Sequence, residues 1–304
     1  MQTGHRKSLR YSLMATLMAV LAGVAMVALA QDHPCATAFD PDAALAVESF
    51  ADGVVAVQPA AADPAEIEVV HYRESDACEP QVIDHYPIEG GAPRLEEVFL
   101  HHYHGWPVLV SIVSWPHQHR GLGMTGRFYS IYVYHRDGDS VQLNEALARL
   151  QGLSGVVGTT EDWEQMTFAG VHRLGAAALL DLLAPPSEQE LGWQELCKPE
   201  GKQMELNACA IVTLGEAQQA LNAMLVRVSE SYADHPSYLA EFTEAQDSWR
   251  RQIRADLTHL FPLEPGQDPR VQYGSSYTMQ HTLVQAYLLR QRTEYLGEFW
   301  VPMN

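Results

Sequence analysis

Five histidines, His101, His102, His104, His117 and His119, are the first residues whose type and spacing could do chemistry. Alternate residues of a strand share a face. His102 and His104 would therefore point one way, as would His117 and His119 if that segment stays extended. Two such pairs across a hairpin could hold zinc or copper. No acidic or thiol ligand sits beside them and the register is unspecified, so solvated hairpin histidines are the plainer reading. Gly121-Leu-Gly123-Met-Thr-Gly126 spells the G-x-G-x-x-G of dinucleotide loops, which needs a strand before it and a helix after it. The residues that follow, Phe128 to Tyr134, look like a strand, so a glycine-rich hairpin loop is expected. Glu96-Glu97 could suggest glycosidase carboxylates, but those must face each other across a cleft. Strand neighbours point to opposite faces. There is no G-x-S-x-G, H-E-x-x-H or phosphate loop. The expectation is a protein that is not an enzyme, takes no cofactor and has no assigned metal site.

The four cysteines, Cys35, Cys78, Cys197 and Cys209, read better as staples than as nucleophiles. Their context comes from residues 1–30. His5, Arg6, Lys7 and Arg10 precede an apolar run from Leu13 to Ala30, and Ala28-Leu-Ala30 forms a small-x-small site before Gln31. This is the pattern of a secretory signal cut after Ala30, with a retained anchor as the alternative. No lipobox precedes Cys35. Export to the periplasm or beyond permits disulfides, and four cysteines allow three connectivities. The segment carries three of the 19 Lys and Arg and none of the 38 acidic residues, so its removal leaves a formal charge of −22. Such a surface repels nucleic acid and anionic membrane. It suits a basic partner, or serves plain solubility.

These residues must be positioned by two kinds of element. Val54–Val57, Glu68–His71, Val98–Tyr103, Val108–Val113 and Phe128–Tyr134 are rich in β-branched and aromatic residues and read as strands. Gly105-Trp-Pro107 separates two of them at hairpin distance. Leu143–Leu150 and Val171–Leu183 read as helices. The sum is a small antiparallel, β-rich α+β domain over 35–184, with no recognised family. Pro185-Pro186-Ser187 opens a linker over 185–196. Beyond it, apolar stripes at helical spacing run through Met204, Ile211, Leu214, Leu221, Leu225, Val228 and Tyr232. A second comprises Tyr238, Phe242, Ala245, Trp249, Ile253, Leu257 and Leu260. A third comprises Met279, Leu283, Tyr287 or Leu288, Tyr295 and Phe299. Three amphipathic helices joined by turns should bury those faces as an antiparallel three-helix bundle over 197–304.

This last region also carries a set of motifs. Cys197 is followed twelve residues on by Cys209, within Glu205-Leu206-Asn207-Ala-Cys209. Leu221-Asn222, Ala245-Gln246 with Trp249, and Arg292 with Leu296 follow. Together they resemble the LprI family of bacterial lysozyme inhibitors, over about a hundred residues. The chain departs from the family where an arginine is usual four places after the tryptophan, since Ile253 stands there and Arg254 one place late. A second family cysteine pair is replaced by apolar residues near Leu257 and Val284. The resemblance implies that Cys197 pairs with Cys209, which leaves Cys35 with Cys78. A continuous helix would hold Cys197 and Cys209 roughly 18 Å apart, so the chain must reverse, and Pro199 and Gly201 supply the break. Glu205, Asn207, Asn222, Gln246, Trp249 and Arg292 are expected to cap and cross-link helices or to touch a target.

The resemblance implies an exported acidic binding protein that occludes a lysozyme stoichiometrically, the lysozyme or other envelope protein being basic. Neither nucleic acid nor membrane is expected as a partner after signal cleavage. A cell-envelope interaction module with the helices as scaffold is an alternative reading, and a metal-binding protein using the histidine hairpin is another.

Overall fold

The computed structural model describes residues 33–40, 43–103, 105–119, 123–138, 140–162, 164–183 and 187–301, without the side chain of His119. The signal segment, His104, Gly121 and Pro185-Pro186 lie outside them. Two compact units divide the chain. One holds residues up to His101 with Pro107–Pro116 and Tyr132–Glu145, and the other holds His102–Trp106, His117–Ile131 and Ala146 onward.

In the first unit, β1 (Ala46–Phe50), β2 (Gly53–Pro59), β3 (Ile67–Arg73) and β4 (Pro80–Tyr86) form an antiparallel meander in that order. Val54, Val55, Ala56 and Val57 are all buried, as are Val69, Val70, His71 and Tyr72. Continuous runs of apolar and β-branched residues suit strands covered on both faces. Cys35, on a 3-10 turn at Pro34–Thr37, is joined to Cys78 with their Cα atoms 5.3 Å apart. It packs against Val47, Val54, Ala56, Val70 and Tyr72.

The second sheet contains β5 (Arg94–Tyr103), β6 (Trp106–His119), β7 (Met124–Asp137), β8 (Ser140–Leu143), β9 (Ser154–Thr159) and β10 (Gln165–Met166). Its order is β10-β9-β7-β6-β5, with β8 paired to β7. The expected helix over Leu143–Leu150 shrinks to a single turn, α1 (Glu145–Ala148), because β8 occupies its start. Gly126 lies within β7 opposite Gly158 of β9. A Cβ on either would fall about 2 Å from a backbone carbonyl of the facing strand (2.1 Å for Gly126, 2.2 Å for Gly158). These glycines thus allow two strands to approach. A strand follows Gly123 where a dinucleotide loop requires a helix.

The second unit continues with α2 (Arg173–Leu183), α3 (Glu188–Leu196), α4 (Gln203–Ser231), α5 (Pro236–Leu260), α6 (Pro269–Tyr273) and α7 (Tyr277–Phe299). Pro236 and Pro269 stand in the first turns of α5 and α6, where a missing N–H costs nothing. The class is therefore antiparallel sheets followed by a helical region. The helical region holds more than a trio, since α2, α3 and α7 all pack on α4. Contacts of Gln203 with Met279, Glu216 with Arg290, and Met224 with Gly297 show α4 and α7 running parallel. The core contains Leu174, Ala217, Leu221, Leu225, Val228, Phe242, Ala286, Leu289 and Leu296.

All three stripes need correction. On α7 the buried row is Thr282, Ala286, Leu289 and Leu296, while the expected residues Leu283, Tyr287, Tyr295 and Phe299 are exposed. Ala286 shares its core with Ala217 of α4, and small side chains at such positions let helices approach. A pattern weighted by side-chain size points the other way. Met204 and Leu260, at the stripe ends of α4 and α5, are also exposed, as is Ala245.

Candidate functional site

The motif residues of the helical region gather at two places. The first is the entrance to α4. After α3 ends at Leu196, the chain turns through Pro199 and Gly201, and Cys197 bonds Cys209 with their Cα atoms 4.5 Å apart. Glu205 sits inside this closed turn. Its carboxylate accepts the backbone N–H of Lys202 at 2.7 Å and pairs with the Lys198 ammonium at 3.0 Å. The Lys202 N–H, then Lys198, holds the carboxyl below the usual glutamate range. A Cβ on Gly201 would fall 2.4 Å from the Glu205 carboxylate, so that close approach needs glycine there. One turn along, Gln203 donates to the Asn207 amide oxygen at 2.9 Å. Glu205 thus supplies an acceptor to a free N–H of the first turn of α4.

The second place is midway along the helices. Gln246 on α5 is fully buried, and its amide oxygen accepts from both Nε and Nη2 of Arg292 on α7, at 3.0 and 2.8 Å. The guanidinium lies 5.2 Å from the ring centroid of Trp249 and 5.3 Å from that of Tyr295. It is held between two aromatic faces and forked onto a neutral oxygen. Half-burial lowers its pKa from the ordinary arginine value, against the pull of Tyr295. Near this clamp, Arg173 of α2 pairs with Asp247 at 2.9 Å. Asn222 of α4 is buried, accepts from Gln218 at 3.0 Å and donates to Asp181 at 3.4 Å. The Gln203–Asn207 and Gln218–Asn222 bonds lie within α4, whereas Arg292–Gln246, Arg173–Asp247 and Asn222–Asp181 each tie one helix to another and act as struts. Ile253 is buried and Arg254 exposed. The place where an arginine is usual is here a core position filled by isoleucine.

The unit also holds a polar cleft of about 530 Å³ where β9 and β10 meet the C-terminal end of α4. It is lined by Thr159, Gln165, Arg227, Glu230 and Asp234 among others. Burial raises the Glu230 carboxyl, and Arg227 partly opposes that shift. In the histidine hairpin, His102 is exposed and the His117 ring lies 6.3 Å from that of Phe128. Among the described residues no group of three His, Cys, Asp or Glu is placed to hold a metal ion. His104 and the side chain of His119 lie outside them.

Two buried polar groups of the first unit escaped sequence reasoning. The Tyr86 hydroxyl meets Ser111 at 2.6 Å and also Tyr134, which donates to Asp84 at 2.7 Å. Burial pushes both tyrosine hydroxyls well above their usual range. His71 is fully buried with neither ring nitrogen hydrogen-bonded among the described residues. Burial lowers its pKa, with Asp52 opposing the shift. Only long-range pairing brings such groups together, and no local motif announces it.

The fold and struts define a class, a disulfide-clipped helical region cross-linked by an Arg–Gln–Trp cluster. Within that class, residues 197–296 match the family described as lysozyme inhibitor LprI. The match begins at Cys197 and leaves the sheet-forming part of the chain uncovered. No curated protein and no solved structure matches the chain.

Proposed function

We propose that the protein is exported and that its helical region binds a lysozyme and blocks it stoichiometrically, without chemistry of its own. The observation that carries this reading is the family match over 197–296. It falls on helices whose entrance is closed by the Cys197–Cys209 bond. Both disulfides suit an oxidising compartment. Among the described residues no helix is long and apolar enough to cross a membrane. The signal-like residues 1–30 supply the route, and their removal leaves a chain acidic enough to speed encounter with a basic enzyme. In this reading the helices of 197–304 work together with α2 and α3, which pack on α4. The motif residues Glu205, Asn207, Asn222, Gln246, Trp249 and Arg292 serve by keeping the binding surface rigid.

The test is an inhibition assay with the mature full-length protein against purified lysozymes of several types. Slowed wall lysis that saturates near one inhibitor per enzyme supports the reading. Unchanged lysis by every lysozyme at micromolar excess rejects it.

A further inference from the structure

The exposed face of α7 carries a row of residues spaced by four: Leu283, Tyr287, Gln291, Tyr295 and Phe299. Their apolar members are 42%, 60%, 46% and 65% exposed in that order. Single exposed apolar residues need no explanation, whereas a contiguous row does. Read outward from Gln291, this row has a tyrosine four residues away on each side and a large apolar residue eight away on each side. A two-fold interface sets residue i against j and j against i, so an axis at Gln291 would place tyrosine against tyrosine and leucine against phenylalanine along this row.

We propose that α7 pairs with α7 of a second copy of this chain about a two-fold axis at Gln291. In an antiparallel crossing Tyr287 packs beside Tyr295 of the partner subunit, and Leu283 beside Phe299 of the partner subunit. Rows spaced by four interdigitate when helices cross at about 50°. Gln291 donates to Glu294 of its own helix at 3.2 Å, which leaves a second N–H and the amide oxygen to share with its own counterpart on the axis. Arg290, which also reaches Glu216 of α4 at 4.0 Å, and Glu294 lie on the same flank of the row. The axis brings Arg290 of one copy toward Glu294 of the partner subunit, so the flanking charges are complementary. The rows are partly preorganised, since the Tyr295 and Phe299 ring centroids lie 5.1 Å apart and Tyr295 stacks on the clamped Arg292.

Area sets the strength. At about 200 Å² per aromatic side chain, the exposed fractions offer on the order of 700 Å² from the two copies together. Leucine and rim residues add to this, which places the contact near the small end of specific interfaces, below about 1,200 Å². The dimer is therefore reversible. The formal charge, −22 on each chain once residues 1–30 are removed, opposes it, so added salt strengthens it.

Sedimentation velocity on the mature full-length protein, from about 2 to about 200 µM in low and high salt, tests this. The expected result is a mean mass rising toward twice the monomer, at lower concentration in high salt. Gln291→Glu places two like charges on the axis and should weaken the dimer at least about tenfold, whereas Gln291→Leu should tighten it. Gln291 and Tyr287 are exposed, and circular dichroism checks that variants at either keep their helices. A monomer throughout overturns the proposal, as does a dimer indifferent to both Gln291 variants and to Tyr287→Ser. So does a monomer whose lysozyme binding is lost with Tyr287→Ser, because the row then belongs to that partner. Failure of inhibition with dimerisation intact refutes the inhibitor reading alone.

Discussion

Replacing Cys197 and Cys209 together by serine should loosen the helical region by an amount that loop entropy sets. The bond closes a separation of 12 residues, and Cys35–Cys78 closes 43. The chain-entropy relation gives about 3 kcal/mol for the first and about 4 kcal/mol for the second. The shorter value is a ceiling, because the turn is also held by the Lys202 N–H and the Lys198 ammonium on Glu205. Those contacts survive reduction and keep part of the order. Guanidinium unfolding followed by the helical circular dichroism signal should therefore show the double variant losing about 2–3 kcal/mol, with little change in m. Cys197→Ser/Cys209→Ser in 10 mM reductant should match the reduced wild type at that site. A loss below about 0.5 kcal/mol, or two titratable thiols per native chain, would refute the reasoning.

Three further predictions concern single contacts. Arg292→Met strands the buried Gln246 oxygen and should cost about 1–3 kcal/mol, while Gln246→Leu adds little on top of it. A double-mutant cycle should give a coupling on the order of 1 kcal/mol, and strict additivity would dismiss the clamp. His71 is buried neutral, so its folded pKa lies below the unfolded value of about 6.5. The unfolded chain then binds the extra proton, and stability falls as pH drops below about 6.5. Asp52, Arg73 and Asp76 are the charges around it. Urea unfolding at pH 5 and pH 7.5 should show His71→Leu reducing this pH dependence, and an unchanged slope would acquit the imidazole. Gly158→Ala would set a methyl 2.2 Å from the Thr125 carbonyl oxygen. It should cost roughly 2 kcal/mol or more by forcing β7 and β9 apart, and a neutral effect in thermal unfolding would show that the strands give way easily.

The sequence was most legible where local chemistry decides. Strands β2, β3, β5, β6 and β7 announce themselves through Val, Ile, Tyr and Phe, and Pro236 marks the start of α5. β4, with Pro80 and Asp84, and β9, with Gly155 and Gly158, lack that signature because pairing partners hold them in place. The packing of α2 on α4 was equally silent, since Leu174 and Ala178 meet Leu221 and Leu225 across a long stretch of chain. The reversed face of α7 has a different cause. Close helix approach selects Thr282 and Ala286 for the inside, and a hydrophobic stripe counts only bulk. Of the candidate site, Glu205 as a cap follows from its place three residues after Lys202. The meeting of Gln246 with Arg292 required the fold.

The most direct measurement of the central claim is a titration of lysozyme with the mature full-length protein, following lysis of cell-wall substrate. With enzyme well above the dissociation constant, activity should fall linearly and reach its floor at one inhibitor per enzyme. Lysis that stays at full rate for every lysozyme type under micromolar excess would contradict the account.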